Sequence, residues 1–162
     1  MKNRISRFSG TTFLLAVLLS LPALSGNALA SGTSTADLMV LAERGSSLAQ
    51  RTLGERFATG TKGATKDMGQ AIYWWKMAAD NGDPMAQFNL GMAYLHGAGT
   101  PQDRVRAHMW LSLAAATGKM TVSGQHSKKI AESEREAMEA DMVPGQIEES
   151  LALAQAWLAQ HK

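Results

Sequence analysis

The chain of 162 residues contains no cysteine. That excludes a disulfide framework, a thiol nucleophile and a lipid-modified cysteine behind a leader. Long apolar runs are lacking as well. The longest, Phe13 to Leu24, has 12 residues, well short of the ~20 needed to cross a bilayer. It follows a basic start, Lys2, Arg4 and Arg7, and precedes Ala28-Leu29-Ala30, an A-x-A cleavage pattern. Residues 1–30 therefore read as a secretory signal peptide cut after Ala30. The expected location is periplasmic or secreted, with no stable membrane anchor after cleavage. A large excess of one charge is also missing. The formal net charge is +2, but the leader holds three of the 16 basic residues, and the remaining 132 residues, with 14 acidic ones, carry −1. The pI near 9.0 belongs largely to the leader. A basic footprint for nucleic acid is therefore unsupported. Without cross-links the domain must be held by core packing, burying roughly two-thirds of its unfolded surface.

Catalytic patterns are missing too. There is no G-x-S-x-G, no S-x-x-K and no H-E-x-x-H. The histidines, at 96, 108, 126 and 161, include no pair at the i, i+4 spacing of a helical metal site. The loop Gly60-Thr-Lys-Gly-Ala-Thr-Lys66 is glycine-rich and basic but lacks G-K-[ST]. No metal, cofactor or catalytic residue is expected.

What the chain does contain is a repeat. Ala49-Gln50, Leu53-Gly54 and Phe57 match Ala86-Gln87, Leu90-Gly91 and Tyr94 at an offset of 37. Further on, Asp67, Ala71, Trp74, Ala78-Ala79 and Gly82 match Asp103, Ala107, Trp110, Ala114-Ala115 and Gly118 at an offset of 36. One residue is thus inserted in the first loop. Full repeats span about 46–82 and 83–118. A partial copy at 36–45 ends in Leu41-Ala-Glu-Arg-Gly45, which echoes Ala78-Ala-Asp-Asn-Gly82.

Each repeat reads as two helices. Ala86, Leu90 and Tyr94 make one helical stripe, and Ala71, Trp74, Trp75, Ala78 and Ala79 make another. Asp83-Pro84 is an N-cap followed by proline at the first helical position. Asp67 to Gln70 is a capping-box variant. Gly45, Gly82 and Gly118 fall where a left-handed C-cap residue is wanted. Gly54 and Gly91 sit inside the packing stripe, at a cost of about 1 kcal/mol against alanine in a helix. A bare backbone there lets the second helix approach closely. The aromatics at 57, 74, 94 and 110 fill wider gaps, as in a stacked hairpin array.

The pattern A-Q-x-x-L-G-x-x-[YF]-x-x-G, then D-x-x-x-A-x-x-W-x-x-x-A-A-x-x-G, resembles the Sel-one-like repeat (SLR), a relative of the tetratricopeptide repeat. The resemblance covers about residues 36–118. It implies an all-α, α/α solenoid of about seven helices after signal removal. It also implies a non-enzymatic scaffold for protein–protein interaction, frequently in bacterial cell-envelope processes. The structural repeat positions it marks are Leu53, Gly54, Phe57, Trp74, Ala78, Gly82, Leu90, Gly91, Tyr94, Trp110, Ala114 and Gly118. Some secreted relatives rich in cysteine have been described as acting on β-lactams, but they carry a cysteine pair in each repeat. A β-lactam or cell-wall enzyme is thus the weaker alternative, beside a secreted factor that binds a host protein.

Residues 119–162 depart from the pattern and read as a C-terminal helical cap. Lys119 to Met142 should be a charged first helix shielding the end of the array. In the last helix Ile147, Leu151, Ala154 and Leu158 form one stripe, with Trp157 beside it, expected to dock onto the second repeat. The tetratricopeptide kinship implies a short concave groove lined by first-helix residues off the packing stripe. These are Arg51, Glu55, Met85, Phe88, Asn89, Met92 and His96, with Phe88 either lining the groove or packing on a neighbouring repeat. Flexible methionines such as Met85 and Met92 suit an adaptable surface. The expected occupant is an envelope protein or peptide, and the end faces leave room for self-association.

Overall fold

The computed structural model describes residues 32–117 and 122–161. The expected leader at 1–30 and the repeat glycine Gly118 lie outside them. The described residues form seven α-helices and no strand: α1 (Thr35–Glu43), α2 (Ser47–Thr59), α3 (Met68–Asp80), α4 (Pro84–His96), α5 (Arg104–Thr117), α6 (Val122–Glu139) and α7 (Pro144–Gln160). The all-α hairpin array read from the sequence is the fold.

Local chemistry sets the helix ends. The Asp83 carboxylate accepts from the N–H groups of Met85 and Ala86 at 3.0 and 2.9 Å, with Pro84 at the first helical position. Asp67 caps α3 through the Gln70 N–H at 3.0 Å, and Asp103 accepts from the Arg106 N–H at 2.9 Å. A reciprocal capping box, not anticipated from the sequence, opens α1 between Ser34 and Asp37. Gly60 and Gly97 close α2 and α4 in the left-handed region, φ 72° and 66°, which glycine enters without steric cost.

α2 pairs with α3, and α4 with α5, as the hairpins of repeats one and two. α3 packs on α4, α1 on α2, and α6 on α5 and α4. α1 thus stands where the second helix of a preceding repeat would stand. The bare-backbone contact is as expected. A Cβ on Gly54 would overlap the Trp75 indole, and one on Gly91 would lie 2.8 Å from Leu111 Cγ. Leu53, Ala78, Leu90 and Ala114 are buried in the packing, as are Trp74 and Trp110. Phe57 and Tyr94 are half-buried against the cores.

The tail corrects the sequence reading in one respect. α7 does dock on α5, yet through Ser150, Ala154 and Trp157 rather than through the leucines. Leu151 and Leu158 remain 41 % and 38 % exposed. The reason is a modest rotation of the helix about its axis. The small Ser150 and the Trp157 ring fit the α5 surface, and Trp157 packs edge-on to Trp110 with centroids 6.0 Å apart. Its indole N–H also donates to Asp80 on α3 at 3.3 Å. α7 therefore lies along the second helices and does not form a third hairpin with α6.

Candidate interaction surface

The repeats are joined by two polar relays. Gln50, wholly enclosed, donates through Nε2 to the Ala42 carbonyl at 3.0 Å and accepts from Asn81 Nδ2 at 3.0 Å. Gln87 donates to the Ala79 carbonyl at 3.3 Å and accepts from the Thr117 hydroxyl at 2.7 Å. Each glutamine adds a side-chain donor to a carbonyl at the end of the preceding second helix, which also accepts from the glycine N–H of the turn, Gly45 or Gly82. A buried amide must find such partners. The matched Ala-Gln pairs signalled these positions in the sequence, but without a role.

Arg51 and Glu55, two of the expected groove residues, are bonded to each other and to the next repeat. The Arg51 guanidinium donates to Glu55 at 2.6 Å and to Asp83 at 3.3 Å. Burial lowers the Arg51 pKa, but the carboxylates of Glu55 and Asp83 outweigh it and hold the group above its ordinary value. Arg51 therefore ties α2 to the start of α4 and has less freedom for a partner than its sequence position suggested.

Phe88 resolves toward packing. It is half-buried with Leu95 against the cluster of Ala107, Leu111, Ala115 and Ala131. Four other expected residues fall on one face of α4. Met85, Asn89, Met92 and His96, spaced four, three and four apart, lie about 100° round the helix from the buried Ala86, Leu90 and Ala93. Met85, Asn89 and Met92 are half-buried, and His96 is exposed. Met92 shares its inner edge with the Phe88 cluster. The Asn89 amide makes no hydrogen bond among the described residues. The same positions on α2 are Leu48, Thr52, Glu55 and Thr59, of which only Glu55 was singled out from the sequence. The α4 stripe thus carries thioether, amide and imidazole groups, and the matching α2 positions carry an aliphatic chain, hydroxyls and a carboxylate.

A buried polar junction escaped the sequence reading. His108 on α5 is completely enclosed, with Nδ1 2.6 Å from the Ser150 hydroxyl on α7 and Nε2 2.9 Å from Glu139 on α6. Arg135 Nε lies 3.3 Å from the same Glu139 oxygen. Serine, imidazole and carboxylate in a row have the order of a nucleophilic triad. Ser150 is wholly buried on the docked side of α7 and its hydroxyl also donates to the Ile147 carbonyl at 2.7 Å. No substrate reaches it in this arrangement, and the junction fastens three helices. The only sequence signal would have been a histidine on an otherwise apolar stretch of α5.

Among the described residues, no group of three or more His, Asp or Glu is placed to hold a metal ion. No described helix is long and apolar enough to cross a membrane.

Comparison with known proteins agrees with this architecture. The Sel1 repeat family model matches residues 47–83 and 84–118, the two hairpins α2–α3 and α4–α5. Among curated proteins, the plant ERAD-associated E3 ubiquitin-protein ligase component HRD3B of Arabidopsis thaliana is 28 % identical over 105 residues, covering 44 % of this chain and 17 % of its own length. A 3-phosphoshikimate 1-carboxyvinyltransferase sequence of Rhodopseudomonas palustris (strain BisB5) is 33 % identical over 91 residues, covering 52 % of this chain and 20 % of its own. The chain thus spans a fifth or less of these relatives. Among solved structures, c5321, a protective antigen of uropathogenic Escherichia coli with an SLR fold, superposes with a TM-score of 0.63 at 29 % identity, over 78 % of this chain and 25 % of that one. A Sel1 repeat protein of Oxalobacter formigenes gives 0.50 at 29 % identity, over 52 % and 34 %. Matched in sequence and in three dimensions, residues 47–118 of this chain are two Sel1 repeats.

Proposed function

We propose that this protein is a non-enzymatic scaffold of the bacterial cell envelope, exported by its leader, that holds a protein or peptide segment on the first-helix stripe of α2 and α4. Sel1 repeats generally mediate protein–protein interaction, and HRD3B is by its name a component of a larger assembly. The observation that carries the reading is the unspent Asn89 amide between Met85, Met92 and His96. An amide offers two donors and an acceptor. Methionines on either side adapt their shape to an apolar partner. Two repeats give a short surface, so the occupant is a short segment or the affinity is modest.

The test is affinity capture from envelope extract with the parent and an Asn89→Ala/His96→Ala variant, followed by mass spectrometry. Both side chains lie off the core, so the thermal midpoint should hold. A client enriched by the parent and lost with the variant supports the stripe. A client retained equally by both would move the site elsewhere. Localisation is tested apart, by fractionating cells for the processed chain: recovery from periplasm or medium is expected, and an uncut cytoplasmic chain would overturn export.

A further inference from the structure

We infer that Asn81 is a site of spontaneous backbone chemistry, and that its conversion unfastens the first of the two inter-repeat relays. Asn81 ends α3, is solvent-exposed, and is followed by Gly82. Glycine has no side chain to hinder its own amide nitrogen. That nitrogen can attack the Asn81 side-chain carbonyl. The Gly82 N–Cγ bond forms, the Cγ–Nδ2 bond breaks, and the side-chain nitrogen leaves as ammonia, taking the Gly82 amide proton. Water then opens the cyclic imide at either carbonyl, leaving aspartate or isoaspartate at position 81. The other asparagine among the described residues, Asn89, precedes the bulky Leu90 inside α4 and lacks this arrangement.

The fold holds both reacting groups. The Gly82 N–H donates to the Ala79 carbonyl at 2.9 Å, and Asn81 Nδ2 donates to Gln50 at 3.0 Å. Reaction therefore waits on local opening of this C-cap. Its consequence follows from the direction of the relay. The Ala42 carbonyl only accepts, so Gln50 must turn Nε2 toward it and Oε1 toward position 81. A carboxylate at 81 would face that oxygen, acceptor against acceptor. Turning the glutamine amide round only moves the clash to Ala42. In either orientation one link is lost: the bond to position 81 where the glutamine keeps its orientation, the bond to Ala42 where it turns. The second relay ends in Thr117, whose hydroxyl cannot react in this way.

The experiment incubates the full chain at mildly alkaline pH and follows position 81 by peptide mapping. Gln50→Leu removes the acceptor that holds the amide. Thr117→Val removes the equivalent link of the other relay and serves as the control for general loosening. Conversion at Asn81 should run about fivefold faster in Gln50→Leu than in Thr117→Val, the population change expected from one lost hydrogen bond. Hydrogen exchange at the corner between α3 and α4, Ala79 to Asp83, should quicken in the parent in step with conversion. Equal rates in the two variants would overturn the gating. Unchanged protection of that corner in fully converted protein would overturn the unfastening.

Discussion

In repeat one the bare backbone of Gly54 receives the flat Trp75 indole, whereas in repeat two Gly91 receives the branched end of Leu111. In repeat one the relay ends in a reactive amide, in repeat two in a hydroxyl. On the first helices, the position held by Arg51 in α2 is held by Phe88 in α4. The arginine reaches forward to Asp83, and the phenylalanine packs toward α6. The same scaffold geometry therefore tolerates a rigid ring or an aliphatic branch, an ion pair or an aromatic contact. What stays constant is where backbones touch and where the glutamine donates to the end of the preceding helix.

The sharpest way to break that comparison is at the glycines. Gly54→Leu should cost about 3 kcal/mol or more and Gly91→Leu about 2 kcal/mol, because an indole locked between helices yields less than a leucine. Thermal midpoints would rank them, and the reverse order would mean that Trp75 swings aside. His108→Ala compares the array with its tail. It leaves Ser150 and Glu139 without their shared partner and opens a cavity, a loss of about 3 kcal/mol. Hydrogen exchange should quicken in α6 and α7 while α2 and α3 stay protected. Gln50→Ala and Gln87→Ala compare the relays themselves. Each removes two hydrogen bonds made by a buried amide and leaves its volume unfilled, costing about 1–3 kcal/mol, and chemical denaturation should find the two alike.

The smallest effect belongs to Arg51→Ala, about 1 kcal/mol or less, since the pair is partly exposed. A cation whose pKa is raised on folding contributes stability that is present below its unfolded pKa and fades only as pH rises through the higher folded value. For a guanidinium that window lies beyond any working pH. The Arg51 contribution should therefore respond to added salt and not to its own titration, and denaturation at two salt concentrations would show it.

How much of this is written in the sequence differs by residue. Asp83-Pro84, Gly54, Gly91 and the alanine pairs act locally or at fixed spacing, so their structural roles are legible in the sequence alone. Those of Phe88 and Leu151 are not. Each lies at the edge of a stripe, and which way it turns depends on a helix far along the chain. His108 is hidden for the same reason. Its partners lie 31 and 42 residues away, beyond any periodicity. Of the expected surface, the α4 stripe keeps its four residues on one face because helical spacing alone decides that. The α2 contribution is smaller than expected because Asp83 holds Arg51.

α7 lies along α5 instead of pairing with α6, and this limits how such a chain can lengthen. A repeat appended after α7 would find the flank of the second helices already occupied. A duplicated hairpin inserted between α3 and α4 would meet, on each side, the glutamine relay that it brings with it. The geometry thus favours growth of the array in its middle, ahead of the docked tail.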